Sequence, residues 1–123
     1  MKTKQLRPFH LAFPVLNLKK TENWYTNILG CSVGRKSENW IDINLFGHQI
    51  VAHLTENINK QNTNAVDGDN VPIRHFGVIL SPSDWDKLKD KLVSKGTNFI
   101  IQPNIRFENS SGQQKTMFIS DPS

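Results

Sequence analysis

Four histidines, His10, His48, His53 and His75, are the side chains in this sequence best suited to chemistry. Neutral imidazole binds zinc, nickel, copper and iron, and a divalent ion needs several such donors converging on one point. His10 and His75 each stand near the start of a short apolar run, Phe9 to Leu16 and Ile73 to Leu80. Each run is followed by a segment with a tryptophan and then a glycine: Gly30 lies 20 positions after His10, and Gly96 lies 21 after His75. Equivalent placement in two similar segments predicts a duplicated module with His10 and His75 meeting at a shared concave centre. His53 shares a strand face with Gln49 and Val51 by the period of two, while His48 faces the other way and reads as a turn residue. His10, His53 and His75 are therefore candidate metal ligands, set against the plain reading of each as an ordinary strand histidine.

Other polar residues offer binding rather than catalysis. Arg74, Arg106 and Lys115 are candidates for an anionic substrate, and Trp40 for a pocket wall. Cys31 is the only cysteine. It has no cysteine to bond with, and it reads as a small buried residue in a reducing compartment, the cytoplasm. No Ser-His-Asp order, phosphate loop or dinucleotide-binding glycine run is present.

The elements that must position these residues follow from periodicity. Phe9 to Leu16 reads as a strand. Leu18 to Gly30 reads as a helix, with Trp24 and Ile28, and Tyr25 and Leu29, four apart, Thr21 as N-cap and Gly30 as stop. Cys31 to Lys36, Trp40 to Phe46 and His48 to Thr55 read as strands, with a tight turn at Gly47. The order β-α-β-β-β thus occupies residues 8–55. The segment 56–71 is rich in Asn, Gln, Asp and Gly and reads as a linker. The order restarts over 72–123: strand Ile73 to Leu80, a helix capped by Ser83 with Trp85, Leu88, Leu92 and Val93 on one face, then strands Asn98 to Gln102 and Lys115 to Ser120 around the polar stretch Asn109 to Gly112.

At 123 residues the chain suits one domain built of two such halves. A net charge of +4 and a pI near 9.4 leave a modest basic surplus. Lys87, Lys89, Lys91 and Lys95 alternate with Asp84, Asp86 and Asp90, the pattern of a solvated helix face rather than of a nucleic-acid surface. No apolar run reaches the roughly 18 residues of a membrane span. The expected partner is a small molecule, with neither nucleic acid nor membrane.

The order and spacing of Phe9-His10-Leu11-Ala12-Phe13-Pro14-Val15, Trp24-Tyr25 with Ile28-Leu29-Gly30, Gly47 to His53, Arg74-His75-Phe76-Gly77-Val78 and Phe118 to Ser123 resemble the vicinal oxygen chelate superfamily. That superfamily includes glyoxalase I, extradiol dioxygenases and the bleomycin and fosfomycin resistance proteins. The resemblance implies an α+β fold in which two βαβββ modules form a curled mixed sheet around a metal. It implies ligands from the first and fourth strands of each module, here His10, His53 and His75, and one divalent ion, Fe, Zn, Ni or Mn. It further implies a homodimer and an enzyme acting on a substrate chelated through neighbouring oxygens, a glyoxalase-like lyase or isomerase or an extradiol-type dioxygenase. The alternative is a non-catalytic small-molecule-binding protein of the bleomycin-resistance kind. Members of the superfamily continue past Asp-Pro-Ser into a final strand whose glutamate is the fourth ligand. No residue here takes that place, so three readings stay open: a longer chain, a three-histidine site, or no metal.

Overall fold

Alternation of exposed and half-buried residues from His10 onward, ending on the buried Val15, builds the first strand of the computed structural model, which describes residues 6–59, 62–66, 68–106 and 114–123. The fold is α+β, and the chain divides into two compact units, residues 1–58 with 122–123, and residues 59–121.

The first unit runs β1 (His10–Val15), α1 (Leu18–Asn27), β2 (Ser32–Lys36), β3 (Trp40–Leu45) and β4 (His48–Leu54). Its four-stranded sheet has the order β1-β4-β3-β2. β1 is parallel to β4, and the other pairs are antiparallel. One sheet face carries Val15, Ile41, Ile43, Leu45, Ile50 and Ala52, all buried. Tyr25 of α1 is buried with them, its ring centroid 5.9 Å from that of Phe13. The hydrophobic effect thus fixes the register, because a one-residue slip would turn this set toward water.

Asn17, not Thr21, is the N-cap of α1: its side chain accepts from the Lys20 N–H at 2.9 Å. Thr21 lies one turn inside, fully buried, its hydroxyl donating to the Asn17 carbonyl at 2.7 Å. Helical spacing alone could not separate the two, since both are good capping residues. At the other end Gly30 has φ 73°, and the Cys31 N–H donates back to the Tyr25 carbonyl at 2.9 Å. Ser123 closes this unit by accepting from the Leu16 N–H at 3.0 Å.

The second unit contains β5 (Thr63–Val66) and β6 (Asp69–Pro72), an antiparallel hairpin, then α2 (Pro82–Ser94), β7 (Phe99–Arg106) and β8 (Gln114–Ile119). The hairpin lies inside the segment expected to be a linker. Gly68, at φ 87°, turns it, and Val71 is buried. Its few apolar residues were masked by the surrounding polar ones. Residues 73–80, expected as a strand, form none. Arg74 takes φ 65°, which breaks the extended backbone, and Ile79 is fully exposed. The second unit therefore does not repeat the four-stranded sheet of the first among the described residues.

Ser81, not Ser83, caps α2, accepting from the Asp84 N–H at 3.2 Å with Pro82 in the first turn. Leu92 is fully buried, but Val93, placed on the same face by the sequence, is 58% exposed. β7 and β8 pair antiparallel with Phe99 opposite Ile119 and Ile101 opposite Phe118. The polar stretch Asn109 to Gly112 lies outside the described residues. No helix is long and apolar enough to cross a membrane among the described residues.

Candidate functional site

The sheet face opposite the one that α1 packs on has side chains that fall into rows, because paired residues share a face. The first row crosses all four strands: His10 opposite Gln49, Gln49 opposite Asn44, Asn44 opposite Ser32. All four are exposed. The second holds Ala12, Val51 and Asp42, with Gly34 against Asp42: a Cβ at Gly34 would meet the Asp42 Cβ at 3.4 Å. Small residues make this the floor. Asp42 is buried there, and its Oδ2 accepts from Arg35 Nε at 3.3 Å. The third row pairs Pro14 with His53 and His53 with Trp40.

These rows place the expected site residues. His10 stands at one end of this face, and Gln49, which the period of two puts on the same strand face as His53, is its direct neighbour. Gln49 Oε1 lies 2.9 Å from His10 Nδ1. His53 shares the face but stands four register positions along β4 from Gln49, about 13 Å at roughly 3.3 Å per residue. Two nitrogens on one ion, each about 2.1 Å from it, lie no more than about 4 Å apart. His53 thus stands at the other end of this face from His10. Counting alternation gives a residue's face but not its row, and only the β1–β4 register supplies that. Trp40 is half-buried and is the cross-strand neighbour of His53. Asn44 spends its side chain on the turn, its Oδ1 accepting from the Gly47 N–H at 2.8 Å.

In the second unit His75 and Arg74 line a cleft of about 340 Å³ whose apolar wall includes Val66, Val71 and Ile73. His75 Nδ1 is 2.8 Å from the Pro72 carbonyl oxygen, and its ring stands edge-on to Phe118 with centroids 5.0 Å apart. Lys115 lies 5.6 Å over the Trp85 ring and 3.5 Å from Asp86, so it ties β8 to α2. Arg106 ends β7, and its side chain lies outside the described residues.

Hydrogen bonding sorts the histidines by where each carries its proton. A carbonyl oxygen only accepts, so Nδ1 of His75 must hold the hydrogen, and its Nε2 keeps a lone pair when the ring is neutral. With its carboxamide oxygen 2.9 Å from Nδ1, Gln49 favours the same state in His10. His48 is the reverse: its Nδ1 accepts from the Phe9 N–H at 2.8 Å, which puts the proton on Nε2 and leaves no lone pair for a ligand. His10 and His75 thus fit a metal as individual donors in the form metal-binding histidines take, with the second nitrogen bonded to an oxygen. Among the described residues, no group of three or more His, Cys, Asp or Glu side chains stands close enough to hold an ion.

Comparison with known proteins gives one family and a set of shared folds. The model of the glyoxalase/bleomycin resistance protein/dioxygenase superfamily matches residues 7–123. No curated protein matches. Among solved structures, the chain is similar to a glyoxalase/bleomycin resistance protein/dioxygenase from Alicyclobacillus acidocaldarius, with 28% identity and a TM-score of 0.81 over 94% of this chain and 83% of that one. It is also similar to an integron cassette protein from the mobile metagenome of a Halifax Harbour sewage outfall, at 25% identity and TM-score 0.69, covering 94% and 89%. The fosfomycin resistance protein FosX of Listeria monocytogenes, in a structure of a mutant complexed with Mn(II) and dihydroxypropylphosphonic acid, shares the fold at 13% identity and TM-score 0.65, covering 98% and 85%.

Proposed function

The chain belongs to the glyoxalase/bleomycin resistance protein/dioxygenase superfamily, and on that premise we propose that it is a metal-dependent enzyme acting on a small molecule held through two neighbouring oxygens. The observation that carries this reading is the matched state of two histidines. His10 and His75 both have Nδ1 tied to an oxygen at 2.9 and 2.8 Å, which leaves each Nε2 free to donate a lone pair.

In this reading His10 and His75 are donors to a divalent ion, Fe, Zn, Ni or Mn, which when bound would supply Lewis acidity to the substrate oxygens. The protein's own residues do the rest. Ala12, Val51 and Gly34 give the His10 face of the first sheet a floor of small side chains. Trp40 and His53 bound the far end of that face, where an aromatic ring can cover an apolar part of the substrate. Arg74 and Arg106 draw an anionic substrate, aided by the +4 net charge. The reaction is of the lyase or isomerase type, or a dioxygenase reaction. The protein works in the cytoplasm as a homodimer. A non-catalytic binder is the second reading, favoured by the apolar wall of the cleft beside Arg74.

Metal content decides between the two. Purified protein should retain or take up a divalent ion, Mn2+ being the first to titrate. The His10→Ala and His75→Ala variants should each lose it. A wild-type protein that binds no divalent ion would sink the enzyme reading, and retention of metal by the double variant would show that other residues hold it.

A further inference from the structure

We infer that Gln49 is a positioning residue for His10: its carboxamide holds the imidazole in the state that leaves Nε2 open to a ligand. This rests on the metal-enzyme reading above, but its geometry stands by itself. His10 and Gln49 are direct partners in the parallel β1–β4 ladder, so both side chains leave the sheet on the same face. Both are exposed. The contact that orients them is their own, 2.9 Å between Nδ1 and Oε1.

The backbone beneath them is clamped. The Phe9 N–H donates to His48 Nδ1 at 2.8 Å, and the Phe9 carbonyl accepts from the Gln49 N–H at 2.9 Å. β4 thus grips the residue before His10 from two successive positions, which keeps the His10 ring within reach of Gln49. Side chains on a fixed ladder hold a geometry better than side chains on loops.

The chemical consequence follows from the donor inventory. An amide oxygen at Nδ1 requires a proton there and leaves the lone pair on Nε2. Turning the amide over would present its NH2 to Nδ1, move the proton to Nε2 and close that nitrogen to any ion. Glutamine can adopt either orientation, whereas glutamate can only accept. His75 obtains the same state from the Pro72 backbone carbonyl, which no side-chain substitution removes. Of the two histidines, His10 alone owes its state to a replaceable side chain.

The test uses the metal-free full chain at about pH 8. The 15N chemical shifts of the His10 ring report which nitrogen carries the proton. Wild type should show the proton on Nδ1. Gln49→Leu should lose that bias and weaken Mn2+ binding by roughly 10–100-fold, and Gln49→Glu should keep both the bias and the affinity. An unchanged His10 ring in Gln49→Leu would overturn the proposal. So would a ring that changes state with no loss of Mn2+ affinity. If the ring changes state but wild type itself binds no Mn2+, the metal reading falls while the control of His10 by Gln49 stands.

Discussion

The His75 ring is held between two contacts: its Nδ1 donates to the Pro72 carbonyl at 2.8 Å, and it makes a T-shaped contact with the Phe118 ring, centroids 5.0 Å apart. The first contact sets the proton and the second sets the ring plane. Replacing Phe118 by Leu keeps apolar bulk but removes the aromatic partner, an interaction of about 0.5–1.5 kcal/mol. The ring should then swing more freely about the Pro72 bond. In Phe118→Leu we expect the His75 ring protons to lose the shift imposed by a neighbouring aromatic ring in 1H NMR. Mn2+ affinity should fall several-fold. Unmoved His75 resonances would mean that the Pro72 bond alone fixes the ring.

His10 and His53 should behave differently on substitution, though the sequence offers them as equals. Four register positions on β4 separate His53 from the residue facing His10. His53→Ala should leave Mn2+ affinity within about threefold of wild type. His10→Ala removes a direct donor and should cost more than the roughly 100-fold that supporting residues command. Isothermal titration with Mn2+ separates the cases. Equal losses in both variants would place His53 on the ion after all.

The two-residue turn between β3 and β4 carries a strain that can be relieved. Phe46 has φ 49° and Gly47 φ 90°, the left-handed pair of a turn that favours Asn-Gly. Glycine suits its position, but a bulky aromatic in that region is strained by about 1–3 kcal/mol. Phe46 is 44% exposed, so its packing offsets only part of this. Phe46→Asn should raise stability by about 0.5–1 kcal/mol, seen as a higher melting temperature. A lower melting temperature would show that the ring's contacts outweigh the strain.

How legible each region was follows from the kind of signal it carries. β1, α1, β3 and β4 have apolar residues at regular spacing, with Gly30 at φ 73° after α1 and Gly47 at φ 90° between β3 and β4. Period and turn chemistry agree there, so the first unit could be read almost residue by residue. The hairpin β5–β6 carries only Ala65, Val66 and Val71 among polar residues, too few to mark a period. Residues 73–80 mislead in the other direction, because an apolar run is necessary for a strand but does not supply a neighbour to pair with. For the candidate site, residue type pointed to His10 and His75, whereas Gln49 needed the register. No spacing rule links residues 10 and 49, and glutamine has no chemistry of its own that singles it out.

The helix termini and faces give the sharpest stability contrasts. Asn17→Ala removes the side-chain acceptor for the Lys20 N–H and should cost about 1 kcal/mol, the usual value of an N-cap. On α2, Leu92 is fully buried and Val93 is 58% exposed, although they are adjacent and equally apolar. Leu92→Ala deletes buried methyl groups and leaves a cavity, which should cost about 2–5 kcal/mol. Val93→Ser changes only a solvent-facing side chain and should stay within about 0.5 kcal/mol of wild type. Urea unfolding of the three variants provides the measurement. If Val93→Ser proved as costly as Leu92→Ala, the exposed face of α2 would have to be covered in solution, by a second copy of this chain or by another partner.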